Sequence, residues 1–342
     1  MRISTLRERL KAHGARPVHQ ARVLRAWARG LPLDGGSGLP EYSARLKALL
    51  PGVASDLASL TAIRAGHTGA DGSTRLLLGL ADGQSVETVL LPPTGVCVST
   101  QVGCAVGCVF CMTGREGLLR QLGSAEIVAQ VVLARARQPV RKVVFMGMGE
   151  PAHNLDNVLE AIQLLGTAGD IGHKNLVFST VGDRRVFERL PEGPVKPALA
   201  LSLHSTDPAL RARLLPRAPR LDPEELVDLG ERYARATTYP IQYQWTLLSG
   251  VNDGDDELDR IVALLQGKYA VMNFIPYNTV EGLDFQRPSS ERAAEMARYL
   301  HQRGVLAKLR RSAGQDVEGG CGQLRARAGA RGLEQPGRIV AR

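Results

Sequence analysis

The sequence predicts an α/β fold built on a parallel sheet. Strand-like apolar runs at 95–101, 142–147, 175–180, 197–203, 241–248 and 270–275 alternate with helix-like runs at 124–137, 154–165, 184–190, 223–236 and 255–266. That alternation makes neighbouring strands parallel, joined by right-handed crossovers. Polar and glycine-rich segments follow several of these strands, where α/β folds bind ligands. Six such units fall short of the eight that close a full barrel.

The elements follow in chain order. Residues 1–60 read as helical, because Leu6, Leu10, Val23, Leu24 and Trp27 recur at helical spacing with Arg and Lys between them. Gly14-Ala-Arg-Pro17 breaks the pattern, and 30–40 is rich in Gly and Pro, as a loop or linker is. Ten Lys and Arg fall in residues 1–47, which suits contact with a phosphate backbone or simply a solvated basic face. Segments 74–80 and 85–91 flank Asp82-Gly83, a strong hairpin signal, and place Glu87 on the second strand of an extension spanning 61–93. The alternating core runs over 94–324, with a last helix at 289–303 and a further strand at 305–311. Segment 325–342 holds five Arg and one Glu among scattered Gly, a basic tail expected to be mobile.

Bulk properties narrow the class. The chain has 342 residues, 44% of them apolar but only 4% aromatic, so Leu, Val and Ala must fill the core. A net charge of +9 and a pI near 9.6 fit an RNA partner without requiring one. Five cysteines, an odd number, argue against a secreted disulfide framework. No apolar run approaches the ~20 residues of a membrane span, and no signal peptide is evident. A cytoplasmic, monomeric protein away from membranes is the expectation.

The densest chemistry lies in Cys104-Ala-Val-Gly-Cys108-Val-Phe-Cys111, a C-x3-C-x2-C run. Three thiolates so spaced can hold three irons of a 4Fe–4S cluster and leave the fourth iron open to a ligand. Gly103, Gly107 and Gly114 permit the sharp turns of such a loop. A zinc knuckle or a set of buried thiols are the alternatives. Structural zinc takes four ligands, and His67 and His153 lie far off in sequence.

The flanks extend the motif. Cys97-Val-Ser-Thr-Gln-Val-Gly-Cys104, Phe110-Cys-Met-Thr-Gly114, Gly147-Met-Gly-Glu-Pro151 and Cys321-Gly-Gln-Leu324 together resemble the RlmN/Cfr family of radical S-adenosylmethionine (SAM) RNA adenine methyltransferases. The resemblance runs from about Leu6 to Leu324 and is nearer the RlmN-like side. It implies a partial (β/α)6 radical SAM barrel with a small N-terminal helical RNA-binding domain and the hairpin extension. It also implies a 4Fe–4S cluster on Cys104, Cys108 and Cys111, two SAM molecules per turnover, an external electron donor, and ribosomal or transfer RNA as substrate. SAM contacts are carried over to Gly149, Glu150, Ser179, Ser202, Leu203, His204 and Asn278. Taken singly, Ser179 and Ser202 would suit helix caps and His204 a structural role; their shared placement at strand ends is what joins them.

The resemblance gives the other two cysteines distinct roles. Cys321 would take a methyl group from one SAM, a step that needs its thiolate. A 5′-deoxyadenosyl radical from a second SAM would then remove hydrogen from that methyl, and the carbon radical would add to the base. Glu87 would accept the ring proton. Cys97 would attack the Cys321 sulfur, leaving a transient disulfide for external thiols to reduce. Methyl transfer to C2 of adenosine is the expected outcome. C8 is the alternative, as are a radical SAM enzyme acting on a non-RNA substrate and a non-catalytic metal-containing RNA-binding protein. The chain departs from the family at Gln244-Trp245, where an acidic–aromatic pair is usual, and at Arg217-Ala-Pro-Arg220 and Asp183.

Overall fold

The computed structural model describes residues 1–34 and 42–326. The expected loop at 30–40 therefore lies partly, and the basic tail at 325–342 almost wholly, outside the described residues.

Three helices come first: α1 (Ile3–Ala12), α2 (Pro17–Ala28) and α3 (Ala44–Ala58). Pro17 opens α2 at a position where its missing N–H has no partner to lose, and the Ser43 side chain caps α3 by accepting from Leu46 N. Their buried residues, among them Leu6, Leu10, Val23, Leu24 and Trp27, belong to the same core as the sheet. Three antiparallel strands follow, β1 (Thr61–Thr68), β2 (Thr74–Leu80) and β3 (Ser85–Leu91). The hairpin turns where Asp82-Gly83 predicts. β1 was not expected: its small residues and alternating exposure show no strand run, and pairing with β2 supplies its order.

Next come β4 (Gly95–Cys97), β5 (Gln101–Gly103), β6 (Leu118–Gln121), α4 (Ser124–Arg135) and β7 (Lys142–Phe145). They are followed by α5 (Leu155–Thr167), β8 (Leu176–Thr180), α6 (Arg184–Arg189), β9 (Ala198–Ser202), α7 (Pro208–Leu214) and α8 (Pro223–Thr237). The described chain closes with β10 (Ile241–Leu247), α9 (Asp255–Leu265), β11 (Ala270–Pro276), α10 (Ser290–Gln302) and β12 (Ala307–Leu309).

Among the described residues, ten strands form one sheet in the order β1-β2-β3-β4-β7-β8-β9-β10-β11-β12, parallel from β4 onward, as the alternating pattern predicts. The sheet stays open, with β1 and β12 at its edges. One expected strand, 95–101, is divided. The chain leaves the sheet at Val98–Thr100, where Ser99 N donates to Gln130 Oε1 and Ser99 Oγ to the Glu87 carbonyl. It then re-pairs as β5 with β6 in a separate two-stranded ribbon.

The N-terminal helices sit on α4 and α5. Ile3 N donates to Ser124 Oγ at 2.8 Å, Ser4 N to Glu160 Oε1 at 2.7 Å and Arg29 Nε to the Ala168 carbonyl at 2.9 Å. Arg2 also pairs with Glu160, which fastens the module to α5, while Arg9 pairs with Asp56 and braces α1 against α3, so part of the basic character counted in the sequence is spent on structure.

Candidate active site

The three-thiol loop leaves the end of β5 through Gly103, whose φ of +76° is left-handed. A Cβ there would stand 2.0 Å from the Gly117 carbonyl oxygen, so only glycine fits. Main-chain bonds hold the loop from several sides: Cys104 N to Gly117 O, Val109 N to Leu214 O and Arg217 N to Val106 O. The thiols of Cys104, Cys108 and Cys111 all line one cavity of roughly 370 Å³ at the carboxyl ends of the parallel strands.

Burial pushes the Cys104 thiol up to about 12 and those of Cys108 and Cys111 upward as well, with neighbouring thiols adding to the shift. Three desolvated sulfurs that resist ionisation alone need a bound cationic centre to be held as thiolates. Among the described residues, no three of His, Cys, Asp or Glu gather tightly enough to hold a single metal ion. The donors therefore fit a polynuclear iron–sulfur cluster, with one thiolate per iron, better than one zinc ion.

The strand ends supply the rest of the wall. Gly149, with φ +102°, brings the main chain after β7 against Gln101; a Cβ would stand 2.6 Å from Gln101 Cβ and Cγ. Gln101 Oε1 accepts from Glu150 N at 2.7 Å. The Glu150 carboxylate accepts from Ala152 N and Val181 N, both at 3.0 Å. Burial raises its pKa to about 7 despite those bonds. Ser179, Ser202 and His204 line the same cavity. His204 Nδ1 accepts from Thr246 N at 3.0 Å, so Nε2 carries the ring proton. Burial, with the nearby Arg211 charge, depresses the His204 pKa to about 3, which keeps the imidazole neutral.

The remaining thiols meet at this cavity too. Cys97, at the end of β4, and Cys321 both line it. Cys97 is raised to about 12, first by burial and then by the charge of Cys321, which places the two sulfurs within electrostatic reach. All five cysteines are free thiols, and Cys321 is exposed. Its loop is not slack: Asn278 Nδ2 donates to the Cys321 carbonyl at 2.9 Å, Met112 N to the Gly322 carbonyl at 2.8 Å and Thr113 Oγ1 to the Leu324 carbonyl at 2.7 Å. The last two bonds tie it to the three-thiol loop.

Three residues expected at the site do not line this cavity. Leu203 is buried in the main core and does not line the cavity. Asn278 grips the Cys321 loop, and its Oδ1 is a buried acceptor with no partner. Glu87 is fully buried, with Oε1 bonded to Arg75 Nη1 at 2.7 Å and Oε2 accepting from Arg325 N and Ala326 N at 2.7 and 3.0 Å.

Other residues escape sequence reasoning. Arg211 Nη2 donates to the carbonyls of Val181 and Ser202, joining two strand ends from behind the cavity wall, while Nε is buried without a partner. Burial lowers its pKa to about 10, with the charge of Cys108 acting in the opposite direction. Nothing in its helical surroundings, Leu210 to Ala212, distinguishes it. Gln101 and Tyr277 likewise need the tertiary fold to be found.

Known proteins share this plan. Residues 98–263 match the model of the radical SAM superfamily. A protein named "Probable RNA methyltransferase" from Aromatoleum aromaticum is 74% identical over 98% of this chain and 96% of its own length. A second so named, from Methylibium petroleiphilum, is 71% identical over 98% and 96%. The crystal structure of a radical SAM methyltransferase from Sphaerobacter thermophilus matches with a TM-score of 0.82 and 34% identity, over 96% of this chain and 98% of that one.

Proposed function

The chain belongs to the radical SAM RNA methyltransferases, and from that premise we propose that it methylates a ring carbon of adenosine, C2, through a methyl group carried on Cys321. The observation that carries this reading is the meeting of Cys97, Cys321 and the three-thiol loop at one cavity. A carbon such as C2 is electrophilic, so direct transfer of a methyl cation from SAM cannot work there. A carrier that accepts the methyl first, and delivers it in another form, resolves that mismatch.

The 4Fe–4S cluster, when bound to Cys104, Cys108 and Cys111, would supply the electron for reductive cleavage of SAM. The chain's own groups do the rest. Cys321 is exposed, as a sulfur that meets both SAM and a base must be. Glu150 and the main chain at Gly149 hold the polar end of SAM, with Ser179, Ser202 and His204 across the cavity. The neutral His204 offers Nε2–H as a donor without adding a charge. Glu87 accepts the ring proton only after Arg325 and Ala326 withdraw their main-chain N–H groups from its carboxylate. Cys97 then attacks the Cys321 sulfur and releases the methylated RNA. Asn278 serves this reading by fixing the Cys321 main chain. RNA approaches the N-terminal module and the cavity, which Arg311 lines, with Arg217 beside Gly107 of the three-thiol loop.

The test is nucleoside mass spectrometry of ribosomal and transfer RNA from cells with and without the protein. A methyladenosine that vanishes with the gene, and returns with the wild-type chain but not with Cys321→Ala, supports the reading. Unchanged RNA in both strains would overturn it.

A further inference from the structure

Methyl transfer leaves one group of charges unused. Cys97 and Val144 are register partners on β4 and β7, and both line the cavity. Side chains two apart on a strand share a face, so Lys142 points to the same side as Val144. On β12, Lys308 pairs with Asn273, which pairs with the cavity-lining Gln244, so Lys308 and the following Arg310 point inward as well. Because β12 is an edge strand, the sheet is open beside it. Cations thus stand on both sides of that opening: Lys142 on the wall that carries Cys97, and Lys308 with Arg310 on the other.

These three charges repel one another. Lys142 is disfavoured as a cation by burial and then by Arg310 and Lys308. Among the described residues, none of the three has a carboxylate within ion-pair distance. All three remain exposed to solvent. Arg310 also acts on Cys97, favouring its thiolate against burial. Like charges facing across an open cleft attract an anion. An inward-facing trio beside a sulfur, above an apolar floor of Val144, Val177, Ala198 and Ala200, suits a small anion better than a nucleic-acid backbone, which needs an outward face.

We propose that this opening admits a low-molecular-weight anionic thiol, held by Lys142, Lys308 and Arg310, which reduces the Cys97–Cys321 disulfide left by each turnover. The inference rests on the thiol pair of the proposed function and names the reductant class that resets it. The incoming thiolate attacks the Cys97 sulfur beside Arg310. The Cys97–Cys321 bond breaks, and Cys321 leaves with the electron pair. A second thiolate attacks the mixed disulfide and expels Cys97. Protons from the two small thiols restore both protein thiols, and the reductant leaves as its own disulfide.

The experiment uses the cluster-loaded full chain, oxidised with diamide under nitrogen, with the Cys97–Cys321 bridge verified by peptide mapping. Its reduction is timed with glutathione, 2-mercaptoethanol and cysteamine at equal thiolate concentration, so that their charges differ. Glutathione is expected to outpace cysteamine by about tenfold or more at low ionic strength, in the range of electrostatic steering. High salt should shrink that ratio, and Lys142→Gln/Lys308→Gln/Arg310→Gln should bring it near one, while Lys308→Arg retains it. The same ratio in the triple variant overturns the proposal. So does a variant that loses RNA affinity with its thiol ratio intact, which would give the trio to an RNA phosphate. If no bridge maps to Cys97 and Cys321, the thiol pair of the proposed function itself fails, and this inference with it.

Discussion

The two cysteine-bearing loops of this protein are built in opposite ways. The Cys104–Cys111 loop is threaded through left-handed glycines at Gly103 and Gly107, and the substituents those glycines lack would strike the Gly117 carbonyl and the Arg217 guanidinium. Its sulfurs are buried or half-buried and raised by desolvation. The Cys321 loop presents its sulfur to solvent and is held by a few side-chain and main-chain bonds from Asn278, Met112 and Thr113. A permanent ligand needs a rigid, desolvated seat, whereas a sulfur that exchanges partners needs access with its main chain fixed. Touching at Met112–Gly322 and Thr113–Leu324, the two loops place a desolvated set of sulfurs and an exposed one at one cavity.

Substitution should separate them sharply. Replacing Cys104, Cys108 or Cys111 by Ala is expected to remove most bound iron and abolish SAM cleavage, as iron analysis and 5′-deoxyadenosine formation would report. Cys321→Ala should keep its iron and its reductive cleavage of SAM yet form no methylated RNA. If Cys321→Ala loses iron as fully as the other three, the contrast between the loops disappears.

Much of this architecture is legible in the sequence, for identifiable reasons. The strands β7 to β11 show as apolar runs because both faces are covered, and the β2–β3 hairpin shows because Asp82-Gly83 fixes its turn. The cavity cysteines are legible through their spacing and flanks. Segments whose order comes from pairing are not: β1 carries small residues, and β5 and β6 are short. α7 is a seven-residue helix whose start is set by the Asp207 side chain accepting from Ala209 N. Contacts from remote chain segments are equally hidden. The capture of Glu87 joins Arg75 to main-chain N–H groups 238 and 239 positions along the chain from Glu87. The inward cations Lys142, Lys308 and Arg310 come together only through strand register.

A gentler probe of the contrast is Asn278→Ala, which frees the Cys321 carbonyl from its 2.9 Å bond. Loss of one such bond is worth about 1 kcal/mol. Iron content should stay unchanged while the rate of methyl loading on Cys321, followed by intact-protein mass, falls several-fold. A drop in iron without any change in loading would mean that Asn278 serves the buried loop instead.

The last expected effect is a pH dependence at the Glu150 end of the cavity. Glu150 has a folded pKa of about 7, above the ordinary 4.5, so folding favours its protonated form. Its contribution is fully present below about pH 4.5 and is lost as pH rises through about 7. Relative to wild type, Glu150→Gln should therefore gain melting temperature as pH rises across that window. A difference between the two proteins that stays flat with pH would show that the Glu150 carboxyl is not held protonated by burial. His204, with a folded pKa of about 3, has the opposite sign: its contribution is present above about pH 6.5 and falls as pH drops toward 3, in both proteins alike.

The central claim is the division of labour between the two sulfurs outside the Cys104–Cys111 loop, and Cys97→Ala tests it most directly. Given reduced, cluster-loaded protein with SAM, an electron donor and substrate RNA, the variant should still load a methyl on Cys321 and attack the base. It should then stall, because no thiol remains to break the enzyme–RNA bond. A covalent protein–RNA adduct should accumulate as a shifted band that collapses on RNase digestion, while Cys321→Ala forms none. Normal turnover without adduct in Cys97→Ala, or an adduct in Cys321→Ala, would contradict the account.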